Sequence, residues 1–349
     1  MEKIADYWEE KSDKQVKCNL CPKGCTIKEG ELGFCQARKN KDGKLYSIAY
    51  GHATSTQPDP IEKKPLYHFY PGTRAFSMST AGCNFSCKHC QNWTLSQSSV
   101  EKVKTEEITP EEAVNRAERT NCEGIAYTYG EPIIWFEYIK DTAKIAKERG
   151  LYNVLVTNGY VNQDPLKEFK PLIDGMNVDV KAFNEEFYQD ICGGGSLKPV
   201  LETCEWAVEN DIHLEITNLI IPDENDDTEE IRELCHWISE DLNPEVPIHF
   251  TRFRPLHEMM DKDSTPINVL ENAWDIAHEE GLKHVYVGNV PGHEANNTYC
   301  PNCEELVIER RGFSISGYNL KENHACPNCG YNLNIKGEHK DTTHSGFQL

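Results

Sequence analysis

Short apolar runs alternate with amphipathic segments along residues 74–290 of this 349-residue chain. The runs are rich in β-branched and aromatic residues, which is typical of buried strands. Seven strands are predicted, at residues 75–80, 124–129, 152–157, 176–180, 213–221, 247–251 and 284–287. Repeated strand–helix alternation indicates parallel strands joined by crossover helices, in either an open doubly wound sheet or a barrel.

Helix signals separate these strands. One helix is predicted to begin at Thr109 as N-cap, with Pro110 at its first position and Glu112 completing a capping box. The other helices are predicted at 134–148, ended by Gly150, at 227–242, and from Pro266, capped by Thr265, to Gly281.

The two flanks break the alternation. The prolines within residues 59–69 preclude a regular helix, so this segment is expected to lie extended across the surface of the larger domain. Short strands are predicted at 45–49 and 306–309. The predicted organisation is a Cys-rich N-terminal extension and linker at 1–72, an α/β domain at 73–292, a small Cys-rich module at 293–337 and a mobile tail at 338–349.

Composition narrows the function classes. The chain has 36 basic and 57 acidic residues and a net charge of −21, which argues against nucleic-acid or membrane-surface binding. The sequence has no apolar run long enough to span a membrane, and its first residues lack the apolar segment of a signal peptide. A cytoplasmic protein is therefore expected.

Cysteine spacing indicates metal or cluster binding. Clusters at gaps of two or three residues in an intracellular chain are typical of ligands and not of disulfides. Eleven of the 15 cysteines fall into three such clusters: Cys18, Cys21, Cys25 and Cys35; Cys83, Cys87 and Cys90; Cys300, Cys303, Cys326 and Cys329. The other four, Cys122, Cys192, Cys204 and Cys235, are predicted to be buried apolar side chains.

The central cluster, Cys83, Cys87 and Cys90, directly follows the first predicted strand. Three thiolates bind three irons of a cubane cluster and leave one iron open, to be filled by a distant cysteine or by a substrate. This Cys-x3-Cys-x2-Cys spacing resembles the signature of the radical S-adenosylmethionine (radical SAM) superfamily. The alternative is a structural zinc site, which usually has four protein ligands.

The terminal clusters predict two further metal sites. The N-terminal spacing, Cys-x2-Cys-x3-Cys-x9-Cys, suits zinc or a second iron–sulfur cluster equally well. The C-terminal cluster consists of two Cys-x2-Cys knuckles about twenty residues apart, the pattern of a zinc ribbon. A single rubredoxin-like iron is the alternative there.

Polar residues follow the other predicted strands. Because the carboxyl ends of parallel strands meet at one edge of the sheet, these residues are expected to lie together. Glu131 is suited to accept hydrogen bonds from an ammonium group, Asp179 to bind ribose hydroxyls and Lys181 to bind a carboxylate. S-adenosylmethionine carries all three groups. The predicted binding set is Gly130, Glu131, Asn158, Asp179, Lys181 and His249.

These motifs resemble radical SAM enzymes of the pyruvate formate-lyase-activating type. His89 stands in the usually aromatic place before the last cysteine of the loop. Gly130-Glu131-Pro132 is similar to the family's Gly-Gly-Glu-Pro turn, with Tyr129 replacing the first glycine, and 179–181 is similar to its Asp-x-Lys motif. His249 resembles its adenosine-contacting histidine. The N-terminal cluster and segments 59–69, 127–132, 290–293, 299–303 and 312–313 extend the resemblance, over nearly the whole chain, to the radical SAM protein of the AmmeMemoRadiSam system.

The resemblance implies an α/β fold with a partial (β/α)6 TIM-like barrel, a [4Fe-4S] cluster on Cys83, Cys87 and Cys90, and S-adenosylmethionine as cosubstrate. It implies reductive cleavage to a 5′-deoxyadenosyl radical that abstracts hydrogen, and an electron donor such as a ferredoxin or flavodoxin. The name of the system implies partners resembling Memo and AMMECR1 proteins. It does not imply a substrate.

Three functions follow as hypotheses. The first is hydrogen abstraction from a small molecule or peptide, which the extra Cys-rich ends favour because the simplest activases need neither end. The second is an activase that installs a glycyl radical on a partner enzyme. The third, from another class, is a non-enzymatic zinc-binding adaptor.

Overall fold

Small antiparallel sheets surround the N-terminal cysteines in the computed structural model, which describes residues 1–340. Their strands are β1 (Lys3–Ile4), β2 (Trp8–Glu10), β3 (Val16–Cys18), β4 (Thr26–Ile27), β5 (Arg38–Lys41), β6 (Lys44–Ser47) and β7 (His52–Ala53). Strands β2, β3 and β4 form one sheet, and β1, β6 and β5 form another. Cys18 ends β3, Cys21 and Cys25 lie in the β3–β4 connection, and Cys35 lies in the loop before β5.

A predominantly parallel sheet forms the centre of the molecule. The next strands are β8 (Ser55–Pro60), β9 (Arg74–Ser79), β10 (Glu106–Glu107), β11 (Gly124–Tyr127), β12 (Tyr152–Thr157), β13 (Gly175–Asp179), β14 (His213–Ile220), β15 (Ile248–Arg252) and β16 (Val285–Gly288). Strand β10 pairs with β7, and the other eight form one sheet in the order β16-β15-β14-β13-β12-β11-β9-β8. Strands β9 and β11 to β16 are parallel, and β8 is antiparallel to β9. The seven predicted strands are confirmed, with boundaries shifted by no more than two residues.

Helices connect the parallel strands. They are α1 (Trp93–Ser96), α2 (Pro110–Arg119), α3 (Phe136–Glu148), α4 (Gln163–Glu168), α5 (Glu185–Asp190), α6 (Lys198–Glu209), α7 (Thr228–Trp237) and α8 (Ile267–Glu279). The N-cap of α2 is confirmed, because the Glu112 amide donates to Thr109 Oγ1 at 3.1 Å. The predicted N-cap of α8 is wrong. Pro266 occupies that position, and the buried Thr265 hydroxyl donates instead to the Ile220 carbonyl at the end of β14. No helix within residues 1–340 has the length and apolar character needed to cross a membrane.

The segment at 59–69 reaches the core, which the sequence did not predict. Its first residues extend β8, and prolines are tolerated there because β8 is an edge strand. Beyond a short turn at Ile61–Lys63, Leu66 and Phe69 are fully buried. Phe69 packs against Gly175, the first residue of β13, so the segment closes the sheet at the amino ends of its strands.

The C-terminal module is a three-stranded antiparallel sheet with its own apolar core. Its strands are β17 (Thr298–Tyr299), β18 (Leu306–Arg311) and β19 (Ser314–Tyr318), so the strand predicted at 306–309 is confirmed. The buried Arg310 donates to the Tyr67 carbonyl at 3.1 Å and thereby attaches this module to the core segment. Most of the tail predicted at 338–349 lies outside the described residues. Within its first residues, the Lys340 amide donates to the Pro71 carbonyl at 3.0 Å.

Candidate functional site

A cavity of about 410 Å³ lies at the carboxyl ends of the parallel strands. The loop after β9 contributes the three central cysteines, and the residues that end or follow β11, β12 and β13 contribute the polar side chains. Of the nine residues predicted for the central cluster and cosubstrate, eight line the cavity: Cys83, Cys87, Cys90, Gly130, Glu131, Asn158, Asp179 and Lys181. The rule that parallel strands gather function at their carboxyl ends therefore places these side chains together.

The cysteine loop is held by a second loop that the sequence analysis did not assign to the site. The amides of Ser86 and Lys88 donate to the carbonyls of Cys192 and Ile191 at 3.1 and 2.9 Å. The next residue, Gly193, has a φ of +75°, and a Cβ there would lie 2.0 Å from Ser86 Oγ. Only glycine permits both the backbone conformation and this approach. The signal in the sequence was the run of three glycines beginning at Gly193.

The thiols of the loop lie among hydrogen-bond donors. Cys83 Sγ accepts from the Phe85 amide at 3.3 Å and lies 3.8 Å from Asn158 Nδ2, and Cys90 Sγ lies 3.2 Å from Ser96 Oγ. Burial raises the pKa of the Cys83 and Cys90 thiols, so thiolates here need either these donors or a metal to stabilise them.

The donor set of this loop fits a [4Fe-4S] cluster. Three thiols face one cavity at the spacing that leaves one iron free. The buried Nδ1 of His89, also on the cavity wall, has no hydrogen-bond partner within the described part of the chain.

Glu131 organises the strand ends beside the cysteines. Its carboxylate accepts from the amides of Ile133 and Asn158 at 2.9 and 2.8 Å and from the Thr157 hydroxyl at 2.6 Å. Burial raises the pKa of Glu131 to about 7. Since a carboxylate has about four acceptor positions, these three bonds leave one for a ligand in the cavity.

Asp179 and Lys181 form an ion pair on the same wall. Lys181 Nζ lies 3.0 Å from Asp179 Oδ2, and the Lys181 amide donates to the Tyr188 hydroxyl at 3.1 Å. The aspartate side chain is 38% exposed and the lysine side chain 15%, so the carboxylate is the more accessible of the two. Together they present one acceptor group and one cation to the cavity.

His249 does not line the cavity. Its imidazole is buried, and Nε2 lies 2.7 Å from Glu215 Oε2. Thr251, two residues along β15 on the same face, lines the cavity instead. The register partner of His249 on β14, Thr217, does line the cavity, and the contact of His249 with adenosine stays a prediction.

The C-terminal cysteines form a compact group. All four sulfur atoms lie within 4.8 Å of one another, with Cys300–Cys329 and Cys303–Cys326 separations of 3.5 and 3.6 Å. A single ion with metal–sulfur bonds of about 2.3 Å places tetrahedral ligands about 3.8 Å apart. This group is therefore suited to one tetrahedral metal ion. The N-terminal cysteines, Cys18, Cys21, Cys25 and Cys35, line a separate cavity.

Comparisons with known proteins agree with this architecture. Residues 77–235 match the family model described as the radical SAM superfamily. The chain is 48% identical over 332 residues to the uncharacterized protein MJ0808 of Methanocaldococcus jannaschii, covering 95% of this chain and 98% of that protein. It is 26% identical over 193 residues to pyruvate formate-lyase 1-activating enzyme of Escherichia coli, covering 54% and 76% of the two chains.

A solved structure shows the same fold at low identity. Streptococcus suis SuiB bound to its precursor peptide SuiA matches with a TM-score of 0.50 and 10% identity, covering 66% of this chain and 52% of that chain. The family model, the relatives and the cysteine loop at the end of β9 lead to one assignment. Residues 77–235 form a radical SAM domain, and the chain is homologous to pyruvate formate-lyase-activating enzymes.

Proposed function

We propose that the protein binds a [4Fe-4S] cluster on Cys83, Cys87 and Cys90 and S-adenosylmethionine in the adjoining cavity. The observation that carries this proposal is the convergence of the three thiols with the strand-end polar groups on one cavity wall. When bound, the reduced cluster supplies an electron to S-adenosylmethionine and so generates the 5′-deoxyadenosyl radical that abstracts hydrogen from a substrate.

The residues of the chain bind and orient the cosubstrate. Asp179 accepts hydrogen bonds from the ribose hydroxyls, and Lys181 pairs with the methionine carboxylate. Glu131 uses its remaining acceptor position for the methionine ammonium, while its three internal bonds fix the direction of the carboxylate. Asn158 keeps its amide group against Cys83 and Asn84 Oδ1, which restrains the cysteine loop.

The proposed substrate is a peptide or small molecule that enters past the C-terminal module. Phe313, at the turn between β18 and β19, is 49% exposed and lines the cavity together with Asn289. An exposed aromatic ring at the mouth of a site offers apolar contact area to a substrate. This module is proposed to hold zinc on its four cysteines, which would fix the hairpin that carries Phe313.

Activation of a glycyl-radical enzyme is the second candidate function. The similarity to the E. coli activating enzyme and to the putative glycyl-radical enzyme activating enzyme MJ1632, at 26% and 27% identity, favours it. These relatives also suggest a protein substrate and a separate reductant, for which a ferredoxin or flavodoxin is proposed. We also propose that the sheet forms a partial (β/α)6 barrel and that the protein is cytoplasmic. Its proposed partners are the Memo-like and AMMECR1-like proteins of the AmmeMemoRadiSam system.

Anaerobic reconstitution followed by an assay for 5′-deoxyadenosine tests the reaction. The wild-type protein with dithionite and S-adenosylmethionine is expected to release 5′-deoxyadenosine, and Cys87→Ala is expected to release none. Cys235→Ala, which removes a buried thiol from α7 outside the cavity, is the matched control and should retain the activity. Wild-type protein that carries the central cluster and cleaves no S-adenosylmethionine would contradict the proposal, as would an active Cys87→Ala variant.

A further inference from the structure

The four N-terminal cysteines line a cavity of their own beside the central cysteine loop. The β2–β3–β4 sheet and the loop before β5 bring them together from 18 positions of sequence, residues 18–35. Sequence spacing left zinc and an iron–sulfur cluster equally suitable here. The positions of the sulfur atoms distinguish the two.

No three of the N-terminal sulfur atoms lie as close together as the ligands of one metal ion. Within residues 1–340, the C-terminal cysteines are the one group of three or more possible ligands whose donor atoms all lie within 4.8 Å. No three of the N-terminal cysteines meet that limit, and neither do the central three. In an iron–sulfur cubane each thiolate binds a different iron, so the sulfurs stand farther apart than around a single ion. The N-terminal group, like the central loop, is therefore spaced more widely than the C-terminal group.

The number of ligands distinguishes the N-terminal group from the central one. Four thiols can bind all four irons of a cubane, whereas the central loop leaves one iron open. A cluster with every iron bound by protein has no position for S-adenosylmethionine. Its suitable chemistry is electron transfer.

Buried positive charge accompanies these thiols. Arg38 is 1% exposed, lines the cavity and places Nη1 3.8 Å from Cys18 Sγ. Its other contacts, with the Asp6 carbonyl and Glu137, hold the guanidinium in place, and Nε has no hydrogen-bond partner among the described residues. Hydrogen bonds to cluster sulfurs are one of the factors that set a cluster's reduction potential.

The loop that carries the central cysteines packs against the N-terminal cysteine site. Gly82, which precedes Cys83, packs so closely against Cys35 that an added Cβ would lie 2.2 Å from the Cys35 carbonyl oxygen. Asn84, which follows Cys83, lines the N-terminal cavity. The residues on either side of one central ligand therefore contact the N-terminal site.

We infer that Cys18, Cys21, Cys25 and Cys35 hold an auxiliary [4Fe-4S] cluster that passes one electron from a low-potential ferredoxin or flavodoxin to the central cluster. In this step the auxiliary cluster loses the electron that the central cluster gains, and no proton or covalent bond is transferred. The relay rests on the proposed function, whereas the assignment of the auxiliary cluster stands independently of it.

Metal analysis of full-length variants after anaerobic reconstitution tests the site. The Cys83→Ala/Cys87→Ala/Cys90→Ala variant is expected to retain about four irons and four sulfides per chain, with the electron paramagnetic resonance signal of a reduced cluster. Iron-free protein with about two zinc ions per chain would overturn the inference. If the triple variant retains its cluster but wild-type protein cleaves no S-adenosylmethionine, the proposed function fails and the auxiliary cluster remains.

The Cys21→Ala/Cys35→Ala variant tests the relay. It should keep the central cluster and its reduction by dithionite, a small reagent, but lose its reduction by purified flavodoxin. Reduction by flavodoxin at the wild-type rate would overturn the relay. If this variant does not fold, Arg38→Gln gives the second test, since removal of the cation beside Cys18 should lower the auxiliary cluster's midpoint potential. An unchanged potential would contradict a cluster at this position.

Discussion

Gly130 is the position where the structure makes the sharpest prediction about the site. A Cβ built on Gly130 lies 2.8 Å from the Thr80 carbonyl oxygen, about 0.6 Å closer than the 3.4 Å at which ordinary contact begins. The carbonyl has little room to retreat, because Thr80 is 3% exposed and its hydroxyl donates to the His52 carbonyl at 2.7 Å. The Gly130→Ala substitution must therefore move the backbone.

The expected cost is about 1–3 kcal/mol of unfolding free energy, the usual range for one extra methyl group in a packed interior. The backbone displacement caused by the added methyl group lies between the cysteine loop and the turn that carries Glu131. Thr80 leads into the loop that begins at Cys83, and Gly130 leads into Glu131. We expect weaker binding of S-adenosylmethionine as well, by about tenfold for each 1.4 kcal/mol of distortion that the bound state must relieve.

Denaturant unfolding and equilibrium dialysis with labelled S-adenosylmethionine, both under anaerobic conditions, measure the two effects. Gly317→Ala is the matched control. A Cβ there lies 3.5 Å from its nearest neighbour, an ordinary contact, and should change stability by less than about 0.5 kcal/mol. A Gly130→Ala protein with wild-type stability and affinity would refute the steric argument, as would an equal loss in the control.

Three further predictions concern buried carboxylates and the C-terminal metal. Burial raises the pKa of Glu62 from 4.5 to about 7, so its ionisation opposes folding as pH rises between these values. Glu62→Gln should match the wild type at about pH 4 and exceed its unfolding free energy by up to about 3 kcal/mol at about pH 8, and equal pH profiles would contradict this. Burial alone would raise the pKa of Glu215, but hydrogen bonds from His213 and His249 hold this pKa well below 4.5. The ionised carboxylate therefore stabilises the fold fully above about pH 4.5, and this stabilisation is lost as the pH falls through the folded pKa. Urea unfolding of Glu215→Gln near pH 7 should show a loss of about 3 kcal/mol or more, and a loss below 1 kcal/mol would refute this account. Cys329→Ser should lose about one zinc ion per chain by elemental analysis, and unchanged zinc would place the ion elsewhere.

The strands and the cavity at their carboxyl ends followed from local sequence signals. Apolar runs and the cap at Thr109 depend only on neighbouring residues. Because the carboxyl ends of parallel strands meet at one edge of the sheet, the seven predicted strands also predict where the site lies. Contacts between distant segments carried no such signal. The amides of Tyr67 and His68 donate to Glu215 at 2.9 and 2.7 Å across about 148 positions of sequence, and nothing local to either segment indicates this pairing.

His249 shows why a correctly predicted strand does not reveal which of its side chains reach the cavity. Residues 249 and 251 share a face of β15, so alternation alone cannot distinguish them. The register between β14 and β15 pairs His249 with Thr217, which lines the cavity. The imidazole instead contacts the buried carboxylate of Glu215, two residues earlier on β14, and a single sequence contains no direct measure of that contact.

Tyr129 adopts a strained backbone conformation in the turn that precedes Glu131. Its φ of +64° is the left-handed conformation that glycine adopts freely and that costs another residue about 1–3 kcal/mol. The tyrosine hydroxyl donates to Asp59 Oδ2 at 2.5 Å and accepts from Lys64 Nζ at 3.1 Å. Hydrogen bonds to charged groups contribute about 1.5–3 kcal/mol each, so the two together offset the strain. Because β8 and the turn after it supply both partners, the unpredicted edge strand is what stabilises this conformation two residues before Glu131.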